Sequence, residues 1–167
     1  MQYVKRLDEM TKEEYQETGG KAANLGELIR HGFNVPGGFC VTGKSLETLL
    51  ERNALESGIM EIVGTMDFDN YGDIDSKSAR IRGMITEAPI PEDLLEEIKR
   101  QIDGLKSPDG KDPFVAVRSS VAVKDSSISS FPGMMDTYHF IKGEGQIIEN
   151  IRRCWASLFT ARAVYRR

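Results

Sequence analysis

The chain has 167 residues, a formal net charge of −4, 40% hydrophobic residues and 29% charged ones. That is the composition of an ordinary globular protein, long enough for one domain with a real core or for part of a larger one. No apolar run approaches the length of a bilayer, and the charges at Lys5, Arg6, Asp8, Glu9, Lys12, Glu13 and Glu14 leave no room for a signal peptide there. Cys40 and Cys154 are too far apart for a zinc site or a C-x-x-C motif, so a reducing, cytoplasmic setting is expected.

In chain order, Gly19-Gly20 precedes a predicted helix over 21–31, with Leu25, Leu28 and Ile29 on one face and Gly32 as its stop. Residues 39–42 suit a strand. Residues 38–45 read GFCVTGKS and match the phosphate-loop pattern G-x-x-x-x-G-K-[ST]. That pattern works when a strand is followed by a glycine-rich loop and then a helix, so that backbone N–H groups wrap the phosphates. Here Phe39, Cys40, Val41 and Thr42 read as strand where the loop should be, and a helix exit and turn precede them. The spelling is therefore read as accidental, with Lys44-Ser45 in a turn and Ser45 capping a helix over 46–52.

Residues 66–76 are acidic and turn-like. Asp67-x-Asp69 with Gly72 begins like a calcium loop, but Tyr71 takes its fifth position and Ser78 its twelfth, where a bidentate Glu is required. Helices are predicted over 76–87 and 91–105, the second opened by Pro91, Glu92 and Asp93. The loop over 106–113 is a candidate internal boundary. Strands over 114–118 and 136–141 flank a polar, serine-rich segment. In the last helix Ile147, Ile148, Ile151, Cys154, Trp155, Leu158 and Phe159 follow one 3.6-residue face. With no further chain to cover it, this stripe is expected to leave apolar surface through which the piece self-associates, and 167 residues are expected to begin a longer domain. Residues 146–167 hold five arginines against Glu149 alone, a local +4. These arginines sit on a helix without stacking aromatics, so no nucleic-acid partner is expected.

Three features suit phosphate. Gly19-Gly20-Lys21 lets backbone approach a ligand with a cation at a helix start. Arg118 ends an apolar strand and can present its fork of donors. The stretch FPGMMDT, residues 131–137, offers Gly133 for close approach and Thr137 as a hydroxyl donor. Each also has an ordinary reading: a structural helix start, a surface salt bridge, and a hairpin loop with methionines packed inward.

Taken in order, GGKAANLGELIRHGFNVPGGFCVT, VAVRSSVAVKDSSISSFPGMMDTY and IRRCWASLFTARAVYRR resemble the N-terminal nucleotide-binding region of phosphoenolpyruvate synthase and pyruvate phosphate dikinase. Rifampicin phosphotransferase shares that region. The resemblance covers nearly the whole chain and is weakest over 55–112. FPGMMDT is similar to the dikinase, and RRCWASLFTARA to the synthase. The resemblance implies an α+β fold, the incomplete N-terminal part of an ATP-grasp domain over 1–167, with a mixed or antiparallel sheet and flanking helices. It implies ATP as cofactor, with Lys21 and Arg118 on its phosphates, Gly133 and Thr137 at the phosphate end of the nucleotide, and Arg118 in the catalytic role of stabilising the transferred group. Ala22 departs from the family's frequent glycine after the lysine.

Magnesium, by the same resemblance, takes its ligands from beyond residue 167, and none from within the chain. The phosphate-carrying histidine belongs to another domain, and His31 and His139 are not candidates for it. The intact enzyme would move a phosphoryl group from ATP to that histidine and then to pyruvate, in concert with the remaining ATP-grasp half and the phosphohistidine and pyruvate-binding domains. The 167 residues alone are expected to be inactive. A rifampicin-type acceptor, or a nucleotide-sensing or interaction module without catalysis, are the alternatives.

Overall fold

The computed structural model describes residues 3–120 and 136–165. Helices dominate, and two separate two-stranded antiparallel sheets sit among them. The fold is α+β, and among the described residues its strand pairing is antiparallel.

Strand β1 (Val4–Arg6) pairs with β2 (Phe39–Val41), placing Val4 opposite Val41 and Arg6 opposite Phe39. Between them run two 3-10 turns, Leu7–Glu9 and Lys12–Glu14, and helix α1 (Tyr15–Arg30). Helix α1 is broken at Gly19, whose φ of 75° and ψ of 164° belong to a region essentially reserved for glycine. Beyond the break lies the helix predicted from 21. It ends in a Schellman turn: Gly32, at φ 80°, donates its N–H to the Ile29 carbonyl at 2.9 Å, and Phe33 donates to Leu28 at 3.0 Å.

Helix α2 (Gly43–Arg52) corrects the predicted cap. It begins at Gly43 with Thr42 at the N-cap position, so Ser45 lies inside the first turn. Ser45 is fully buried and donates its hydroxyl to the Tyr3 carbonyl at 2.7 Å, tying α2 to the start of β1. Helix α3 (Glu56–Gly64) and strand β1 have no counterpart in the sequence reading. Helix α4 (Tyr71–Glu87) starts five residues before the predicted 76. The Asn70 side chain accepts the Asp73 N–H at 3.2 Å, and Lys77 pairs with Asp73 at 2.8 Å, so the acidic stretch is partly a capped first turn. Helix α5 (Glu92–Asp103) follows Pro91 and buries Leu94, Ile98 and Ile102, spaced by four along one face.

Strand β3 (Val115–Arg118) pairs with β4 (Thr137–Ile141), Arg118 opposite Thr137, with an irregular register between Val115 and Val117. Helices α6 (Glu144–Ser157) and α7 (Ala161–Tyr165) follow. The main core joins Ile81 and Ile85 of α4, Leu94 and Ile98 of α5, and Ile151 and Trp155 of α6, so it draws on both sides of the 106–113 loop. Each such side chain, fully buried, is worth about 1.5–3 kcal/mol. A second, smaller cluster holds Leu7, Met10, Ala22 and Cys40, with Leu25 and Ile29 packed against it.

The predicted uncovered stripe is corrected. Ile147, Ile151 and Trp155 are at most 7% exposed, and Ile148 and Phe159 pack against the same core. Helix α4 lies against α6 and covers it. Arg152 fastens the pair by donating to the Thr86 carbonyl at 3.0 Å and to the Ala88 carbonyl, at the end of α4. Self-association through this stripe loses its physical ground.

Candidate functional site

The break at Gly19 makes Lys21 a first-turn residue of a fresh helical segment, and that turn faces the end of β3. The Lys21 ammonium donates to the Ser119 carbonyl at 2.9 Å, across 98 residues of sequence. Beside it, the Ala22 N–H reaches Ser120 Oγ at 3.4 Å, a long contact that gives one first-turn donor a partner. A side chain on Gly20 would meet the Tyr15 ring at 2.9 Å, so the ring would have to shift to admit one.

Ser119 is itself held by β4. Its N–H and its Oγ both donate to the Asp136 carbonyl, at 3.4 and 3.3 Å. The Asp136 carboxylate accepts the Tyr138 hydroxyl at 2.9 Å, and Cys154 Sγ lies 4.0 Å from the Asp136 carbonyl. Burial, then Asp136, pushes the Tyr138 phenol up to about 12. Burial, then Asp136, pushes the Cys154 thiol up to about 11, with Lys21 pulling the other way. Both groups stay protonated at neutral pH, so neither is a base or nucleophile here.

Arg118 is exposed, and among the described residues no hydrogen bond or ion pair engages its guanidinium. Thr137, its partner across the ladder, opens β4 and is half-buried. Gly133 lies outside the described residues. Three of the four predicted positions, Lys21, Arg118 and Thr137, thus gather at one end of the β3–β4 pair. The arrangement offers one ammonium, one guanidinium without a partner among the described residues, and a hydroxyl, which is chemistry for a polyanion. Ser119, Asp136 and Tyr138 were not singled out from sequence. Only the serine pair directly after Arg118 carried a local signal.

The other glycine–lysine pair is different. Strand β2 occupies Phe39–Val41, where a phosphate loop would need irregular backbone. Lys44 pairs with Glu47 at 3.3 Å, one turn along its own helix. A cleft of about 490 Å³ borders the Lys21 site and is lined by Arg82, Arg153, Arg162, Asp75, Asp136 and Tyr138, among others. It meets the site only at Asp136 and Tyr138 and leaves out Lys21, Arg118 and Thr137. Among the described residues no three His, Cys, Asp or Glu side chains cluster to hold a metal ion, and no helix is long and apolar enough to cross a membrane.

The family model of the pyruvate phosphate dikinase AMP/ATP-binding domain matches residues 15–167. A probable phosphoenolpyruvate synthase of Staphylothermus marinus is 39% identical over 168 residues, covering 99% of this chain and 20% of that protein. A probable phosphoenolpyruvate synthase of Methanothermobacter thermautotrophicus is 37% identical, covering 100% of this chain and 25% of its own length. The phosphoenolpyruvate synthase of Helicobacter pylori is 36% identical, with 98% and 21% covered. The chain spans a quarter or less of the length of these relatives.

Proposed function

The chain belongs to the family of the pyruvate phosphate dikinase AMP/ATP-binding domain, and from that premise we propose that it is the ATP-binding portion of a phosphotransferase that passes phosphoryl from ATP to a histidine of the same protein and on to pyruvate, giving phosphoenolpyruvate. The observation that carries this reading is the contact between Lys21 and the residue after Arg118, at 2.9 Å. It brings a lysine and an arginine from distant parts of the chain to one strand end.

In that role Lys21 and Arg118 orient the triphosphate and offset charge as the terminal phosphoryl group departs. Thr137 adds a hydroxyl donor, and Gly133 is assigned to the same end of the nucleotide. Magnesium, where it assists, neutralises phosphate charge. Among the described residues no three His, Cys, Asp or Glu side chains cluster, and, following the resemblance, the magnesium ligands are assigned to the further length that the relatives carry. That further length is also assigned the second ATP-grasp half and the phosphohistidine and pyruvate-binding domains. The cytoplasm is the proposed compartment.

A second reading, a nucleotide-sensing or interaction module without catalysis, would need a partner surface, and the apolar stripe of α6 that would supply it is covered within this chain. The two part at one assay. ATP consumption by the full-length protein should depend on pyruvate, whereas the isolated 167 residues should match the buffer blank. Absence of pyruvate dependence in the full-length protein overturns the first reading. Turnover of even about one per second by the isolated chain, within the usual range for enzymes, overturns the need for a second half.

A further inference from the structure

Ser119 is 8% exposed, and all of its hydrogen-bonding groups are spent at one place. Its N–H and hydroxyl converge on the Asp136 carbonyl, and its own carbonyl receives Lys21. It follows Arg118 in the chain, while Asp136 precedes Thr137, the ladder partner of Arg118. Ser119 therefore adjoins the carriers of both charges, bonded to Arg118 and receiving Lys21, and stands just past the end of the regular β3–β4 pairing.

Any residue here would supply the backbone carbonyl. What serine adds is a second hydrogen bond to the Asp136 carbonyl, which limits rotation of the peptide that Lys21 rests on. A lysine stem is flexible, and ordering it at the moment of binding costs affinity. An ammonium has three donors. It keeps the Ser119 carbonyl with one and offers the others to a ligand, so fixing that carbonyl pre-organises the charge.

We propose that Ser119 is a positioning residue of the nucleotide site, setting where the Lys21 ammonium waits relative to the Arg118 guanidinium. The proposal rests on the reading of Lys21 as a phosphate ligand. A hydroxyl hydrogen bond of ordinary strength translates into a three- to tenfold change, roughly.

The test is calorimetric titration of ATP into the full-length protein and its variants, with thermal unfolding followed in parallel. Ser119→Ala is expected to weaken ATP about three- to tenfold, and Ser119→Thr, which keeps the hydroxyl, to bind within about twofold of the parent. The decisive arm is the pair: in a Lys21→Ala background, Ser119→Ala should cost nothing further, because its effect runs through Lys21. An unchanged affinity in Ser119→Ala alone, or a loss that adds in full to that of Lys21→Ala, overturns the proposal. Should Ser119→Ala fail to fold, Ser119→Cys keeps a group of similar size with a weak donor and stands in its place. If Lys21→Ala itself leaves ATP affinity untouched, the underlying reading of the site falls, a result distinct from either of the first two.

Discussion

Gly20-Lys21 and Gly43-Lys44 have the same letters at the start of a helical segment, and their side chains do different things. Lys21 reaches 98 residues along the sequence to the end of another strand, and Lys44 reaches three, to Glu47 on its own helix. The cause lies in the residues before them. Gly19 takes a backbone conformation that breaks α1, and its turn packs closely enough that Gly20 abuts the Tyr15 ring. Gly43 opens α2 with nothing nearer than 3.8 Å to where a side chain would stand. Of the two, the pair that spells a phosphate loop is the one whose lysine stays on its own helix. A short pattern identifies a site only when the surrounding backbone delivers it to a partner.

That contrast is open to direct attack. The largest expected effect is on nucleotide affinity: in the full-length protein, Lys21→Ala and Arg118→Ala should each weaken ATP about ten- to hundredfold, as the loss of a charged hydrogen bond does. Titration calorimetry measures this, with circular dichroism to exclude unfolding. Equal losses at Lys21 and Lys44 would erase the distinction between the two pairs. Next come the glycines. Gly19→Ala should destabilise by about 1–3 kcal/mol, since alanine has no comfortable place at φ 75° and ψ 164°. Gly43→Ala, at an unstrained helix start, should be neutral or stabilising by up to about 1 kcal/mol. Urea denaturation of both variants separates them, and a neutral Gly19→Ala would show that the break is dispensable.

Smaller still is Lys44→Ala, for which ATP affinity should move by less than about twofold, as at other surface positions. The finest probe is Cys154. Lys21 opposes the upward push of burial and Asp136 on this thiol, so Lys21→Ala should lower its thiolate fraction and slow its alkylation at mildly alkaline pH. Lys44→Ala should leave that rate alone. An unaltered rate in Lys21→Ala would place the ammonium elsewhere in solution.

Much of this architecture can be read from short-range pattern. Helix α5 follows from Pro91 with Glu92 and Asp93, and from Leu94, Ile98 and Ile102 on one face. The end of α1 follows from Gly32. Where reading failed, the deciding partner was remote or the signal ambiguous. Strand β1 is three residues long and exists because β2 pairs with it. The first turn of α4 holds Asn70 and Asp73, residue types that serve a cap and a turn equally well. Ser45 looked like a cap from its neighbours and became a buried tether because Tyr3 arrives from the other end of the fold. The stripe on α6 was legible as apolar, but its cover, α4, was not legible as the cover. At the site, the cationic residues stood out by type. Asp136, which contributes a main-chain oxygen, had no letter to announce it.

The division of the apolar interior into two clusters has a consequence for motion. Helix α1 rests on the smaller one, with Met10, Ala22 and Cys40, while α4, α5 and α6 share the larger. A segment anchored by fewer buried contacts opens at lower free energy than the molecule as a whole. Amide hydrogens of α1 should therefore exchange with deuterated solvent sooner than those of α5. The bonds from Lys21 and Ala22 to the two serines beyond β3 then act as a clasp on a semi-independent lobe, and a polyanion gripping both sides would slow that exchange by closing it.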